Sequence, residues 1–146
     1  MSQSNRLLKL VKATSKFPKG IRSTLWSKAF GRIVPMVGTA NIRYLEVDSN
    51  HVTVRLDNQK NMQNHIKGVH AAAMALLAET ATGFLTGLHI PDNRILLIKS
   101  LHVDYLKVVE GGLTATATLS AEQQKYIADH EKGETLLCDC LKVGRQ

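Results

Sequence analysis

The 146-residue chain is poor in cysteine, proline and aromatic residues: two Cys, three Pro, one Trp, three Tyr and three Phe. Cys138 and Cys140 stand two apart in Leu-Cys-Asp-Cys-Leu. On a strand such residues share a face and lie too far apart for easy bridging. Two thiols alone also fall short of the four ligands of a structural zinc site. A disulfide scaffold is thereby excluded, and two reduced, half-buried thiols are expected. No stretch approaches the roughly 18 uninterrupted apolar residues of a spanning helix. Basic residues break every apolar run of the N-terminus (MSQSNRLLKLVKATSK) and no Ala-x-Ala site follows, so no secretory signal is expected. The same segment is basic, contains Ser and lacks acids, features that also suit a mitochondrial presequence. The expected location is cytoplasmic.

What is present is an ordinary globular composition, 44% hydrophobic and 21% charged. That excludes wholesale disorder, and the length suits one domain. The net charge of +7 is unevenly spread. Residues 1–45 carry nine basic side chains (Arg6, Lys9, Lys12, Lys16, Lys19, Arg22, Lys28, Arg32, Arg43) and no acid, whereas residues 46–146 carry ten basic and twelve acidic ones. The chain therefore divides into a basic N-terminal helical segment, 1–34, and a body, 35–146. Leu7, Leu8, Leu10 and Val11 with Lys9, Lys12 and Lys16 fit a short amphipathic helix. It either makes weak contact with an anionic membrane surface or docks on the body with a solvated basic face, and the looseness of the charge cluster favours docking. Nucleic-acid binding is not expected, because only Phe17, Trp26 and Phe30 accompany the charges and no binding motif is present.

Along the body, Ala40, Ile42 and Tyr44 alternate with polar or outward residues and predict a strand over 38–47. Asp48-Ser49-Asn50 is a turn, and His51–Leu56 the returning strand of a hairpin. Residues 57–67 (DNQKNMQNHIK) read as a loop. Residues 69–88 are a strong helix former, apolar nearly all round, and predict a buried helix. The Ile-, Leu- and Val-rich run from Arg94 to Val109 predicts a long strand, Glu110-Gly111-Gly112 a turn, and Leu113–Leu119 another strand. A short helix over 121–130 and a last strand over 135–143 complete an α+β order. A single sheet wrapped round one apolar helix buries one sheet face, and short chains of this kind usually dimerise.

Glu79 lies in the most apolar helix of the chain, among Leu76, Leu77, Ala78 and Ala81. A carboxylate there is costly unless it meets a partner, a cleft or an interface, and burial raises its pKa toward the range of a general base. The equally weighted alternative is a Glu79 that simply points to solvent or pairs with a basic residue. The helix start near Val69–Ala72 offers free backbone N–H groups, a preorganised site for an anion or an oxyanion. Every buried helix has such an end.

The spacing Asn64-x-x-x-Gly68-Val69-His70-Ala71-Ala72, with Glu79 nine residues after His70, resembles the motif of hotdog-fold acyl-CoA thioesterases. The likeness is nearest to the PaaI-like branch and to a subgroup, a domain of unknown function, that carries Glu in the helix. Leu101–Lys107, Gly111-Gly112 and Leu113–Ala117 are similar to that family's third strand, turn and fourth strand. The usual Gly-Gly after His is Ala71-Ala72 here, and Lys107-Val108-Val109 stands where the family often has Pro. The resemblance implies a hotdog fold, an antiparallel sheet around one long central helix, in a homodimer or tetramer with sites at the dimer interface. It implies hydrolysis of an acyl-CoA or acyl-carrier thioester without metal or other cofactor. The N–H of Ala71, or of a neighbour, would polarise the carbonyl, and Glu79 of the other subunit would act as base or nucleophile. Asn64 would position water or the carbonyl, the alternative being an ordinary loop amide or helix-entry contact, and His70 would brace the loop. Gly68 and Ala72 would line the approach, with Lys67 and Lys107 toward the CoA phosphates. A non-catalytic module binding an acyl ligand or a protein partner is the alternative; a hydratase is disfavoured because no His–carboxylate pairing is visible.

Overall fold

The computed structural model describes residues 5–130 and 141–144. Three helices open the chain, α1 (Arg6–Thr14), α2 (Lys19–Ile33) and α3 (Pro35–Thr39). The hairpin β1 (Arg43–Val47) and β2 (His51–Leu56) follows, then α4 (Ala71–Gly87), β3 (Leu113–Thr118), α5 (Ala121–Asp129) and β4 (Leu141–Gly144). The strands form one antiparallel sheet in the order β1-β2-β3-β4. Among the described residues no helix is long and apolar enough to cross a membrane.

Period-2 patterning fixes which face of the sheet is buried. Val52, Val54 and Leu56 of β2 stand opposite Ala117, Ala115 and Leu113 of β3, and all six are buried. On the other face Thr53 and Thr116 share a hydroxyl–hydroxyl hydrogen bond of 3.0 Å. Helix α4 lies across the apolar face through Ala73, Leu77, Ala81, Phe84 and Leu85. Its threonines need no outside partner, since Thr80, Thr82 and Thr86 donate to the carbonyls of Leu76, Ala78 and Thr82.

The basic N-terminal helices share this core. Trp26 and Phe30 of α2 meet Phe84 of α4 at ring-centroid distances of 6.3 and 4.5 Å, and Tyr44 closes the cluster 5.0 Å from Phe84. Val11 of α1 is buried with them. Asn5 caps α1 by accepting from the Leu8 N–H at 2.7 Å, while its amide donates to the carbonyls of Gly87 and Ile90 just past α4. One side chain thus ends one helix and moors it to another.

Two expectations need correction. Residues 38–47 are not one strand: α3 runs to Thr39, and extended pairing begins only at Arg43. Ala40 and Ile42 are buried as alternation implies, but Pro35 at the first helical position favours a helical turn first. Residues 94–109 form no strand. Their β-rich composition stands, but a strand exists only where its N–H and C=O groups pair with a neighbour, and residues 94–109 pair with none of the described strands. The expected last strand is seen as Leu141–Gly144; its earlier part, with Cys138 and Cys140, lies outside the described residues. The hairpin, the central helix, β3 and the short helix after it match the expectation.

Gly38 marks the tightest helix contact. A Cβ there would run into the backbone carbonyl of Gly31, so α2 and α3 meet backbone to backbone. Nothing lies near the corresponding position of Gly20, on the exposed start of α2. Urea denaturation should therefore show opposite signs for one chemical change. Gly38→Ala is expected to destabilise by about 1–3 kcal/mol through overpacking, and Gly20→Ala to stabilise by about 0.5–1 kcal/mol through helix propensity.

Candidate functional site

The start of α4 is held by its own loop. Asn64 Oδ1 accepts from the N–H groups of Ile66 and Gly68, both at 3.0 Å. The backbone of Asn64 donates to Gly68 O at 2.8 Å, and the His70 N–H donates to Met62 O at 2.8 Å. Lys67 closes the turn with φ of 63°, the left-handed region that a non-glycine residue enters only when its neighbours hold it there. Asn64 is thus fastened through its carbonyl oxygen, and its side-chain NH₂ has no hydrogen-bond partner among the described residues.

His70 is the N-cap of α4: its Nδ1 accepts from the Ala72 N–H at 3.1 Å. The His70 carbonyl takes the N–H groups of Ala73 and Met74 at 2.9 and 3.1 Å. Of the first turn's amides, this leaves that of Ala71 without an acceptor among the described residues. Ala71 and Ala72 are exposed and small, so the donor is accessible. A free N–H at the positive end of a helix dipole suits an anion or a developing oxyanion.

Tyr105 was not among the residues singled out from sequence. Its hydroxyl donates to Ala71 O at 2.9 Å, and the Val109 carbonyl lies 3.4 Å from where a Cβ on Gly68 would stand. The segment 105–109 therefore runs beside the helix start and carries the exposed Lys107 between these two contacts. Lys67 is exposed in the loop itself. The two lysines chosen from sequence thus sit in the two segments that frame Ala71. No sequence signal joins Tyr105 to Ala71, which are 34 residues apart.

Glu79 occupies the face of α4 turned away from the sheet, with the partly exposed Ala75, Leu76, Thr82 and Gly83 around it. Its carboxylate makes no hydrogen bond or ion pair among the described residues, and burial raises its pKa above the ordinary 4.5. Burial, and secondly the charge of Glu79, push the phenol of Tyr44 up as well. Glu79 Oε1 lies 3.1 Å from where a Cβ on Gly83 would stand, so glycine leaves the carboxylate its room. A glycine inside a strong helix former, one turn after the only acid of that helix, was a signal the sequence offered. Among the described residues no group of three or more His, Cys, Asp or Glu is disposed to hold a metal ion.

Ala71 and Glu79 are eight residues apart on one helix, about 12 Å along its axis. The structure thus gathers Asn64, Lys67, Gly68, His70, Ala71, Ala72 and the Lys107 segment at one end of α4, and sets Glu79 two turns away.

A family described as Domain of unknown function (DUF4442) matches residues 22–137. Among solved structures, a protein of unknown function from Pseudomonas aeruginosa, described as a probable thioesterase, is 21% identical with a TM-score of 0.61, over 75% of this chain and 71% of its own. A thioesterase family protein from Silicibacter pomeroyi is 14% identical with a TM-score of 0.57, over 63% and 68%. A structural-genomics target is 22% identical with a TM-score of 0.62, over 77% and 74%. No curated protein matches the chain significantly in sequence. At these identities the solved structures speak for the fold, and the family match spans α2 to beyond α5. The chain belongs to the DUF4442 family, and its antiparallel sheet around a central helix is a hotdog fold.

Proposed function

We propose that the protein hydrolyses acyl-CoA-type thioesters as a homodimer, each site joining the Ala71 amide of one subunit to the Glu79 carboxylate of the other. The spacing along α4 carries this reading. One free amide and one unpartnered carboxylate of raised pKa are the parts that thioester hydrolysis needs, yet about 12 Å of helix separates them. Acting on one carbonyl requires both within about 3 Å of the reacting atoms. Two copies with their α4 helices antiparallel would bring the start of one helix beside the middle of the other. The apolar run along 95–108 supports a second copy: Ile95 is 85% exposed and Leu106 87%, with Leu97 and Val108 similarly open. Exposed apolar side chains in this number are what a subunit interface covers. The thioesterase descriptions of two structural neighbours support the reaction class.

In the reaction, a water oxygen bonds to the thioester carbonyl carbon as Glu79 of the partner subunit takes the water's proton. The carbonyl oxygen becomes an oxyanion that accepts from the Ala71 N–H. When it collapses, the C–S bond breaks and the proton passes to the leaving sulfur, giving a carboxylic acid and free CoA thiol. Burial raises the Glu79 pKa and so makes it a stronger base than an exposed carboxylate. The unpaired amide of Asn64 orients the water or carbonyl, the His70 cap fixes the Ala71 N–H, and Lys67 and Lys107 meet the CoA phosphates.

Thiol release from a panel of acyl-CoAs tests the proposal. Wild type is expected to turn over at least one member, and Glu79→Gln to lose about 100-fold or more with fold and oligomer unchanged. Equal rates would overturn the assignment, and no release from any substrate by a folded dimer would favour an acyl-binding module instead. Ala71→Pro removes the amide at the first helical position, where proline is tolerated, and should be inactive without unfolding α4. Co-expressing Ala71→Pro with Glu79→Gln should restore about a quarter of wild-type activity, since half the dimers hold one intact site. Sites built within one subunit would restore none. Because Glu79 must be ionised and its pKa is raised, kcat/KM should fall as pH drops through a midpoint above 4.5. A midpoint at or below that value would separate the acid limb from Glu79.

A further inference from the structure

The outward face of α2 takes no part in the site. Ile21, Leu25, Lys28 and Arg32 recur at i, i+4, i+7 and i+11, one side of a helix. All four are exposed, Ile21 by 58% and Leu25 by 47%. The helix cannot turn to hide them, because Trp26 and Phe30 on its other side are locked into the aromatic cluster with Tyr44 and Phe84. Phe17, four residues before Ile21, is exposed in the turn ahead of α2, beside the exposed Lys16.

The charges carried by α2 and by the turn before it are of one sign. Lys19 pairs with Glu46 at 3.2 Å and Arg6 with Asp92 at 3.7 Å, but Lys12, Lys16, Lys28 and Arg32 make no ion pair among the described residues. No acid occurs before Glu46. We propose that this face of α2, continued by Lys16 and Phe17, docks on an anionic phospholipid surface, its lysines and arginine at the headgroups and Phe17, Ile21 and Leu25 in the acyl boundary. A mixed basic and apolar stripe matches both layers of such a surface. A second copy fits this face poorly, since its unpaired cations would meet their own kind. A nucleic-acid backbone would leave Ile21 and Leu25 without apolar contact. The proposal is independent of the thioesterase reading.

Co-sedimentation of the full chain with phosphatidylcholine vesicles, with and without about one quarter phosphatidylserine, tests it. Binding is expected on the anionic vesicles alone, strong at about 0.05 M salt and largely lost at about 0.5 M. Lys28→Glu/Arg32→Glu should weaken it about 20-fold or more, at roughly five-fold for each charge removed. Ile21→Ser/Leu25→Ser should weaken it about ten-fold while leaving the residual binding salt-sensitive. All four positions are exposed, and unchanged circular dichroism and elution volume would establish that the variants fold. Absence of binding, equal binding to both vesicles, or variants that bind like wild type would overturn the proposal. Concentration-dependent self-association that disappears in the same variants would also overturn it, naming a second copy as the occupant.

Discussion

An apolar helix laid on one face of a sheet can satisfy only the part of its surface that meets the strands. Helix α4 is such a helix, and much of the molecule follows from how its remaining surface is managed. Towards the sheet it presents Ala73, Leu77, Ala81 and Leu85, which rest on the inward residues of β2 and β3. At Phe84 the aromatic side chains of α2 and Tyr44 close over it. The outward strip, from Ala71 and Ala72 through Ala75 and Glu79 to Thr82 and Gly83, is left partly open. On that strip stand the free amide and the unpartnered carboxylate.

The same constraint accounts for the exposed run 95–108. Its residues have the composition of a buried strand, and the described sheet does not take them in. An open helix face and an open apolar segment in one small protein are two forms of the same shortage, too little sheet for too much apolar surface. Their proximity at Tyr105 and Ala71 ties that shortage to the site.

Much of this was legible in the sequence because it depends on local periodicity. The alternation of His51–Leu56 and Leu113–Thr118 gave both strands and their buried faces, and the alanine-rich run gave α4. Periodicity could not tell that residues 94–109 stay unpaired, since pairing is a property of the whole sheet. Nor could it distinguish the end of α3 from the start of a strand at 38–42, where buried residues also alternate. In the site, spacing drew attention to Asn64, His70, Ala71 and Glu79. It could not show that Asn64 spends its carbonyl oxygen on the loop, that the His70 ring takes up the Ala72 amide, or that Tyr105 reaches Ala71, because each depends on the direction of a side chain.

The threonines of α4 have a consequence for how this protein can drift. Because Thr80, Thr82 and Thr86 close their hydroxyls on the helix's own carbonyls, they ask nothing of their surroundings. Alanine, serine or valine at those places would alter fit and stability by degrees but leave the chemical character of the helix unchanged. Glu79 is different: among the 17 residues of α4 it is the sole ionisable side chain. The only titratable group of the helix is therefore inherited, or lost, through a single codon.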